Sequence, residues 1–241
     1  MEKNQEKTEI QKRVEDFCKR KNITHSLLQE SVMEFVEGHD RLFGDIVSTD
    51  ELFARLEENL DKISFAPSKG GKLGTYEGRK RDNEDINEIT IYTAQEELEL
   101  SELTKKLFNT FTKEGQKKVL EERDNKRKNV KSTAIHELTH AAYTIKGKYG
   151  IGEKHIFSST YSVAGMDGYR KNETDYIEGV VNYISSKIEG KPLDKLNTYE
   201  YETKTIAMLV DKIGDKNLIQ AAWNSDKSIL KEAYINSIRK K

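Results

Sequence analysis

Ser132-Thr133-Ala134-Ile135-His136-Glu137-Leu138-Thr139-His140-Ala141-Ala142 is the stretch around which the rest of the chain has to be arranged. Its apolar residues Ala134, Ile135, Leu138, Ala141 and Ala142, continued by Ile145, recur at helical spacing and describe a buried helix. The two alanines leave room for close packing, and Ser132 or Thr133 is placed to cap the start. His136 and His140 then stand four residues apart, about one turn of helix, on a single face. Imidazoles so placed bind one tetrahedral Zn²⁺. Glu137, next to the first histidine, is read as a general base that takes a proton from a metal-activated water and returns it to a leaving amine. Chemistry of this kind needs no serine or cysteine nucleophile.

A hydrolytic zinc site takes three protein ligands and keeps one position open. In the long-spaced three-histidine pattern the third ligand follows the second by six residues, and Lys146 holds that position here. The candidates further on are His155, Glu173, Asp175 and Glu178. Glu178 is preferred because it sits among Ile177, Val180, Val181, Ile184 and Ile188, where a carboxylate needs a reason to be buried. Gly179 beside it permits another backbone to come close, and Asn182, one turn on, is placed to accept a hydrogen bond from a ligand imidazole. His155 follows Gly150 and Gly152 in a loop and reads first as a surface or substrate-side histidine.

The pair of histidines followed by Asp175-Tyr176-Ile177-Glu178-Gly179-Val180-Val181-Asn182-Tyr183 resembles the gluzincin-type zinc metallopeptidases. More narrowly, it is similar to small bacterial and phage-associated peptidases with a glutamate-glycine-x-x-x-tyrosine helix. The resemblance implies a zincin-like catalytic domain in which zinc is held by His136, His140 and Glu178, with Glu137 as the base. Members often carry an acid where this chain has Asn182, so the support of the ligand imidazole is altered. The resemblance covers roughly residues 60 to 235 and leaves residues 1–55 unaccounted for. Tyr176, Tyr183, Tyr199 and Tyr201 are candidate donors to an oxyanion; Tyr183, on the helix of Glu178, is the one taken as catalytic.

Working outward, residues 2–22 and 24–37 read as helices, the second with Ser26 and Gln29 as a capping box and Gly38 as the start of a loop. A third helix opens at Thr49-Asp50-Glu51 and runs through Leu60 and Ile63. Pro67 and glycines 70, 71, 74 and 78 break the pattern, leaving Leu73 to Tyr76 as a short extended run. Ile86 to Tyr92 alternates as a strand, and the two form a hairpin with a long charged connection. Residues 94–123 return to helical spacing with a break near Gly115, and Arg123 to Asn129 form a polar link into the motif helix. Downstream come a possible strand at 156–163 and helices at 175–188, 197–214, 215–223 and 226–239, with Gly214 as a stop. Both Ser158 to Val163 and Ile86 to Tyr92 are candidate edge strands for an extended peptide.

The chain of 241 residues carries 41 basic and 42 acidic side chains, so overall charge gives no reason to expect nucleic acid or an anionic membrane as partner. The clusters Arg79-Lys80-Arg81 and Lys126-Arg127-Lys128 have acids close by and read as solvated surface. A charged start with no apolar core, no run long enough to span a bilayer and the single Cys18 together read as cytoplasmic. Cys18 falls among Ile10, Val14 and Phe17 and is expected to pack. The expected fold is α+β and mainly helical: a helical region at 1–55, then a metallopeptidase domain at 56–241 with a small sheet beside the motif helix and a helical C-terminal part. The expected function is zinc-dependent hydrolysis of a peptide or protein. Its rival is a non-catalytic protein that keeps zinc, or only the fold, to bind a partner.

Overall fold

A computed structural model describes residues 8–67, 73–81, 84–92, 105–144, 173–193, 200–224 and 228. Three helices come first: α1 (Glu9–Arg20), α2 (Ser26–Phe43) and α3 (Thr49–Asn59). Strands β1 (Lys62–Ala66), β2 (Gly74–Arg81) and β3 (Glu84–Tyr92) follow, then α4 (Lys113–Tyr143), α5 (Glu173–Glu189), α6 (Glu200–Ile213) and α7 (Asp215–Asn224). The described chain is thus mainly helical with one small mixed sheet. No helix among the described residues is long and apolar enough to cross a membrane.

The start and stop signals differ in detail from those expected. Thr8 with Gln11 and Ser48 with Glu51 form capping boxes for α1 and α3. The cap of α2 is His25, whose Nδ1 accepts from the Leu27 N–H, while Gln29 turns to the Ile23 carbonyl, so Ser26 and Gln29 are not a box. Helix α2 runs through Gly38 to Phe43 and does not stop there. A Cβ at Gly38 would lie 2.7 Å from Ile188 Cγ2, so this glycine serves the contact of α2 with α5. Helix α3 ends at Asn59, and Ile63 belongs to a strand.

The sheet has the order β1-β3-β2, with β1 parallel to β3 and β2 antiparallel to it. The expected hairpin is present, but its strands extend into the charged segment as far as the pair Arg81 and Glu84. β3 is central: Ile89 pairs with Ile63 on one side and Tyr76 on the other. Asn87, Ile89, Thr90, Ile91 and Tyr92 are all buried, as a strand covered on both faces requires. Ile86 to Tyr92 is therefore not an edge available to a peptide.

α4 spans 31 residues, about 46 Å at 1.5 Å per residue. It begins at the Thr112 cap, whose hydroxyl accepts from the Gly115 N–H, and continues without a break through 123–129. The polar link expected there stays helical because its charges find partners: Lys126 lies beside Glu122, Arg127 clasps both oxygens of Glu30 on α2, and Lys131 reaches Glu34. Ser132 and Thr133 consequently sit inside the helix and cap nothing. Thr133 donates to the Asn129 carbonyl, and Ser132 donates to Glu189 at the far end of α5.

One cluster of buried side chains runs from Val14, Phe17 and Cys18 through Phe35, Leu56, Ile89, Leu138 and Ile184 to Leu218 and Trp223. Helices α1 to α3 thus share their core with α4 and α5, across the division expected at residue 55. Cys18 is packed as expected, and burial pushes its thiol up to about 11. The expected strand at 156–163, the start of the helix expected at 197–214, all of 94–104 and, apart from 228, the helix at 226–239 lie outside the described residues.

Candidate metal centre

The motif occupies the buried C-terminal half of α4, where Ala134, Ile135, Leu138, Ala141 and Ala142 are fully covered. Ser132 meets Glu189 while His140 meets Glu178, so α4 and α5 lie antiparallel and Glu178 comes to rest against the two histidines. His136 Nε2 is 3.0 Å from Glu178 Oε2, His140 Nε2 is 3.2 Å from the same oxygen, and the two Nε2 atoms are 3.2 Å apart. Ligands held at 2.0–2.1 Å around a tetrahedral zinc stand about 3.3 Å from one another. The three atoms therefore form a triangle of the size one such ion requires.

Held by protons alone, this triangle has one edge in conflict. Contacts with both histidines outweigh the desolvation of Glu178 and hold its carboxyl far below the usual range, so it is ionised and only accepts. Both imidazoles would then have to donate to it from Nε2, which turns two N–H groups toward each other across 3.2 Å. If one proton is removed to relieve that edge, one bond to Glu178 is lost. Three lone pairs aimed at a shared cation leave no edge in conflict.

Burial weighs most on the titration of both rings. For His136 it is outweighed by Glu178, Glu137 and Asn182, which raise the pKa; for His140 burial and the neighbouring His136 prevail over Glu178 and lower it. Asn182, the acceptor expected from sequence, is among the groups that raise the His136 pKa. Its amide nitrogen donates to Thr203 Oγ1 at 3.1 Å. Gly179 also serves as expected, since a Cβ there would meet the backbone of Glu202 on α6 at 2.9–3.0 Å.

Glu137 is 6 % exposed and faces β2. A Cβ on Gly74 would lie 2.9 Å from its Oε1 and 3.0 Å from its Cγ, so the carboxylate occupies space that any other residue at 74 would fill. Tyr183 is placed elsewhere. Five residues after Glu178, it points about 140° round α5, and its hydroxyl donates to Asp215 Oδ1 at 2.8 Å, at the start of α7. That bond and burial push its pKa up. Tyr201 is on the outside of α6, 62 % exposed. His155 and Tyr199 lie outside the described residues.

Two supports of the motif helix went unnoticed in the sequence. Asn59 is completely buried, and its amide donates to the carbonyls of Ala141 at 2.8 Å and Thr144 at 2.6 Å, the free end of α4 just past His140. Tyr76 of β2 donates to the Asn59 carbonyl at 2.9 Å, tying the sheet to the same point. His39, also fully buried, lies 3.0 Å from the Tyr143 hydroxyl. Phe35 and Phe43 flank it at helical spacing, a legible sign of a histidine on the core face; nothing distinguishes Asn59 before its partners are known.

Compared with models of known protein families, with curated proteins and with solved structures, the chain matches none.

Proposed function

We propose that the protein is a zinc-dependent peptidase with a zincin-like catalytic domain, in which His136, His140 and Glu178 hold the ion and Glu137 is the general base. The observation that carries this reading is the triangle of 3.0, 3.2 and 3.2 Å between two imidazole nitrogens and one carboxylate oxygen, with a second acid, Glu137, next to His136 in sequence and seated against Gly74. Zinc in such a donor set polarises a carbonyl and makes water acidic enough to attack it near neutral pH.

The chain's own residues do the rest. Glu137 takes the proton released on attack and delivers it to the departing nitrogen; its seat against Gly74 limits where that carboxylate can swing. Asn182 favours the charged His136 ring, and Asn59 anchors the turn that carries His140. Tyr183 is left out of the proposed chemistry, because its hydroxyl donates a hydrogen bond to Asp215. The helical majority and the small sheet against α4 support a zincin-like frame, and the substrate is a peptide or protein.

The test is metal analysis of the purified chain together with cleavage of a mixed peptide library, for wild type and for Glu137→Gln. Both are expected to hold zinc and only the wild type to cut. Zinc without cutting in the wild type transfers the site to a partner-binding role, and absence of zinc from both removes the metal reading.

A further inference from the structure

The near balance of charge over the whole chain conceals a local excess. Residues 105–118 hold five lysines against one acid, Glu114, and contain no arginine. They form a turn of helix at 105–108, a bend, and the first turns of α4. All five lysines are exposed, and so are both phenylalanines, Phe108 at 78 % and Phe111 at 93 %. Exposed apolar side chains scattered singly call for no explanation, but two large aromatic rings three residues apart make a patch whose burial the fold leaves unused.

The bend that presents them is fixed by its own bonds. Thr110 Oγ1 donates to the Lys106 carbonyl at 2.6 Å, Gln116 Nε2 donates to the Thr110 carbonyl at 3.2 Å, and Thr112 Oγ1 caps α4. A Cβ on Gly115 would collide with Thr110 Cγ2, so the glycine lets the bend close on the helix. The rings are thus carried on an ordered turn, and seating them elsewhere costs little further chain entropy. Lys106 lies 2.9 Å from Glu122, Lys118 3.4 Å from Glu114 and Lys117 3.8 Å from Glu121. These pairs stand in water, where they are weakly held, and the lysines are free to turn to another anion.

We propose that this tip docks on an anionic lipid surface, with Phe108 and Phe111 entering the interface and the lysines lying among its acidic headgroups. Apolar insertion and the attraction of clustered lysines to anionic lipid reinforce one another at such a surface. The amino end of α4 opens at the same tip, and its dipole adds to the positive potential there. Nucleic acid also takes aromatic rings and cations, but its phosphates favour the forked guanidinium of arginine, which the segment lacks. His136 stands about 34 Å along α4 from Lys113, at 1.5 Å per residue. The tip and the candidate metal centre are therefore separate, and the docking does not depend on the metal reading.

The full-length chain is mixed with vesicles of phosphatidylcholine alone and of equal parts phosphatidylcholine and phosphatidylglycerol, and its partition is read by flotation. Binding is expected to the anionic vesicles only, and to weaken as salt rises. Phe108→Ser with Phe111→Ser is expected to lower the partition coefficient at least tenfold, since burying one phenylalanine is worth about tenfold or more. Lys105→Gln, Lys113→Gln and Lys117→Gln together are expected to lower it about a hundredfold, at about fivefold for each lysine near the surface. Both variants change exposed side chains and should keep the wild-type urea midpoint. A wild type that fails to partition into anionic vesicles, or partitions equally into neutral ones, overturns the proposal, as does a folded serine variant that binds like the wild type. Retention by a single-stranded RNA oligonucleotide without partition into vesicles gives the tip to nucleic acid and overturns it as well.

Discussion

Replacing Gly74 by alanine asks whether Glu137 acts from the place it occupies. The new Cβ arrives 2.9 Å from Glu137 Oε1, 3.0 Å from its Cγ and 2.7 Å from Thr133 Cγ2. Carbon atoms pack favourably at about 3.5 Å or more, so each contact is too short by about half an ångström or more. Gly74 is not among the glycines with positive φ, so its backbone accepts alanine without strain. The unfolded chain loses freedom, which favours folding by about 0.4–1 kcal/mol. Overpacking works the other way, by about 1–3 kcal/mol, and the net expectation is a loss near 1 kcal/mol. β2 is hydrogen-bonded to β3, whereas Glu137 can rotate, so the carboxylate is the group that yields. A reacting group misplaced by about 1 Å costs about 10²-fold in rate. The three ligand atoms are untouched by the new methyl, and zinc should remain. Urea unfolding, zinc content and turnover on a peptide that the wild type cleaves measure the three effects separately. A folded, zinc-loaded Gly74→Ala with wild-type turnover would refute the assignment of Glu137 in this position as the base.

Two further outcomes follow from the same geometry. Glu178→Ala removes one corner of the triangle, and zinc affinity should fall by more than the ~100-fold that outer contacts can cost; an undiminished affinity moves the third ligand to another residue. His39 is wholly buried, and burial, opposed by Asp40, pushes its pKa from 6.5 down to about 4. Below about pH 6.5 the unfolded chain therefore binds a proton that the folded one refuses. Stability contributed by the neutral ring is complete above that pH and is lost as pH falls toward 4, by about 3 kcal/mol. Urea midpoints of wild type and His39→Gln, compared at pH 7 and pH 4.5, should show the wild type losing more; parallel losses would mean that folded and unfolded His39 take up the proton alike.

Much of the centre is legible because its spacing is local. His136 and His140 share a face in any α-helix that contains them, and the apolar run around Glu178 marks a carboxylate in need of a partner. Gly179 likewise does what its neighbours imply. The failures have a common form. Gly38 and Gly74 look like loop residues, yet each is missing a side chain because another element lies against it, Ile188 in one case and Glu137 in the other. Arg123 to Asn129 looks like a link, yet charges on α2 and on its own helix hold it helical. Tyr183 shares a helix with Glu178, but the pitch of that helix turns it to α7.

From the chain alone, then, come the two histidines on one helical face, Glu137 between them and the need of Glu178 for burial, since 3.6 residues per turn orders side chains whatever surrounds the helix. The docking of α5 on α4, the approach of β2 to Glu137, the grip of Asn59 on the end of α4 and the reach of Thr203 to Asn182 belong to the folded molecule. Each depends on where separate elements come to rest, and that is decided by packing summed over one continuous core, of which no local stretch holds more than a part.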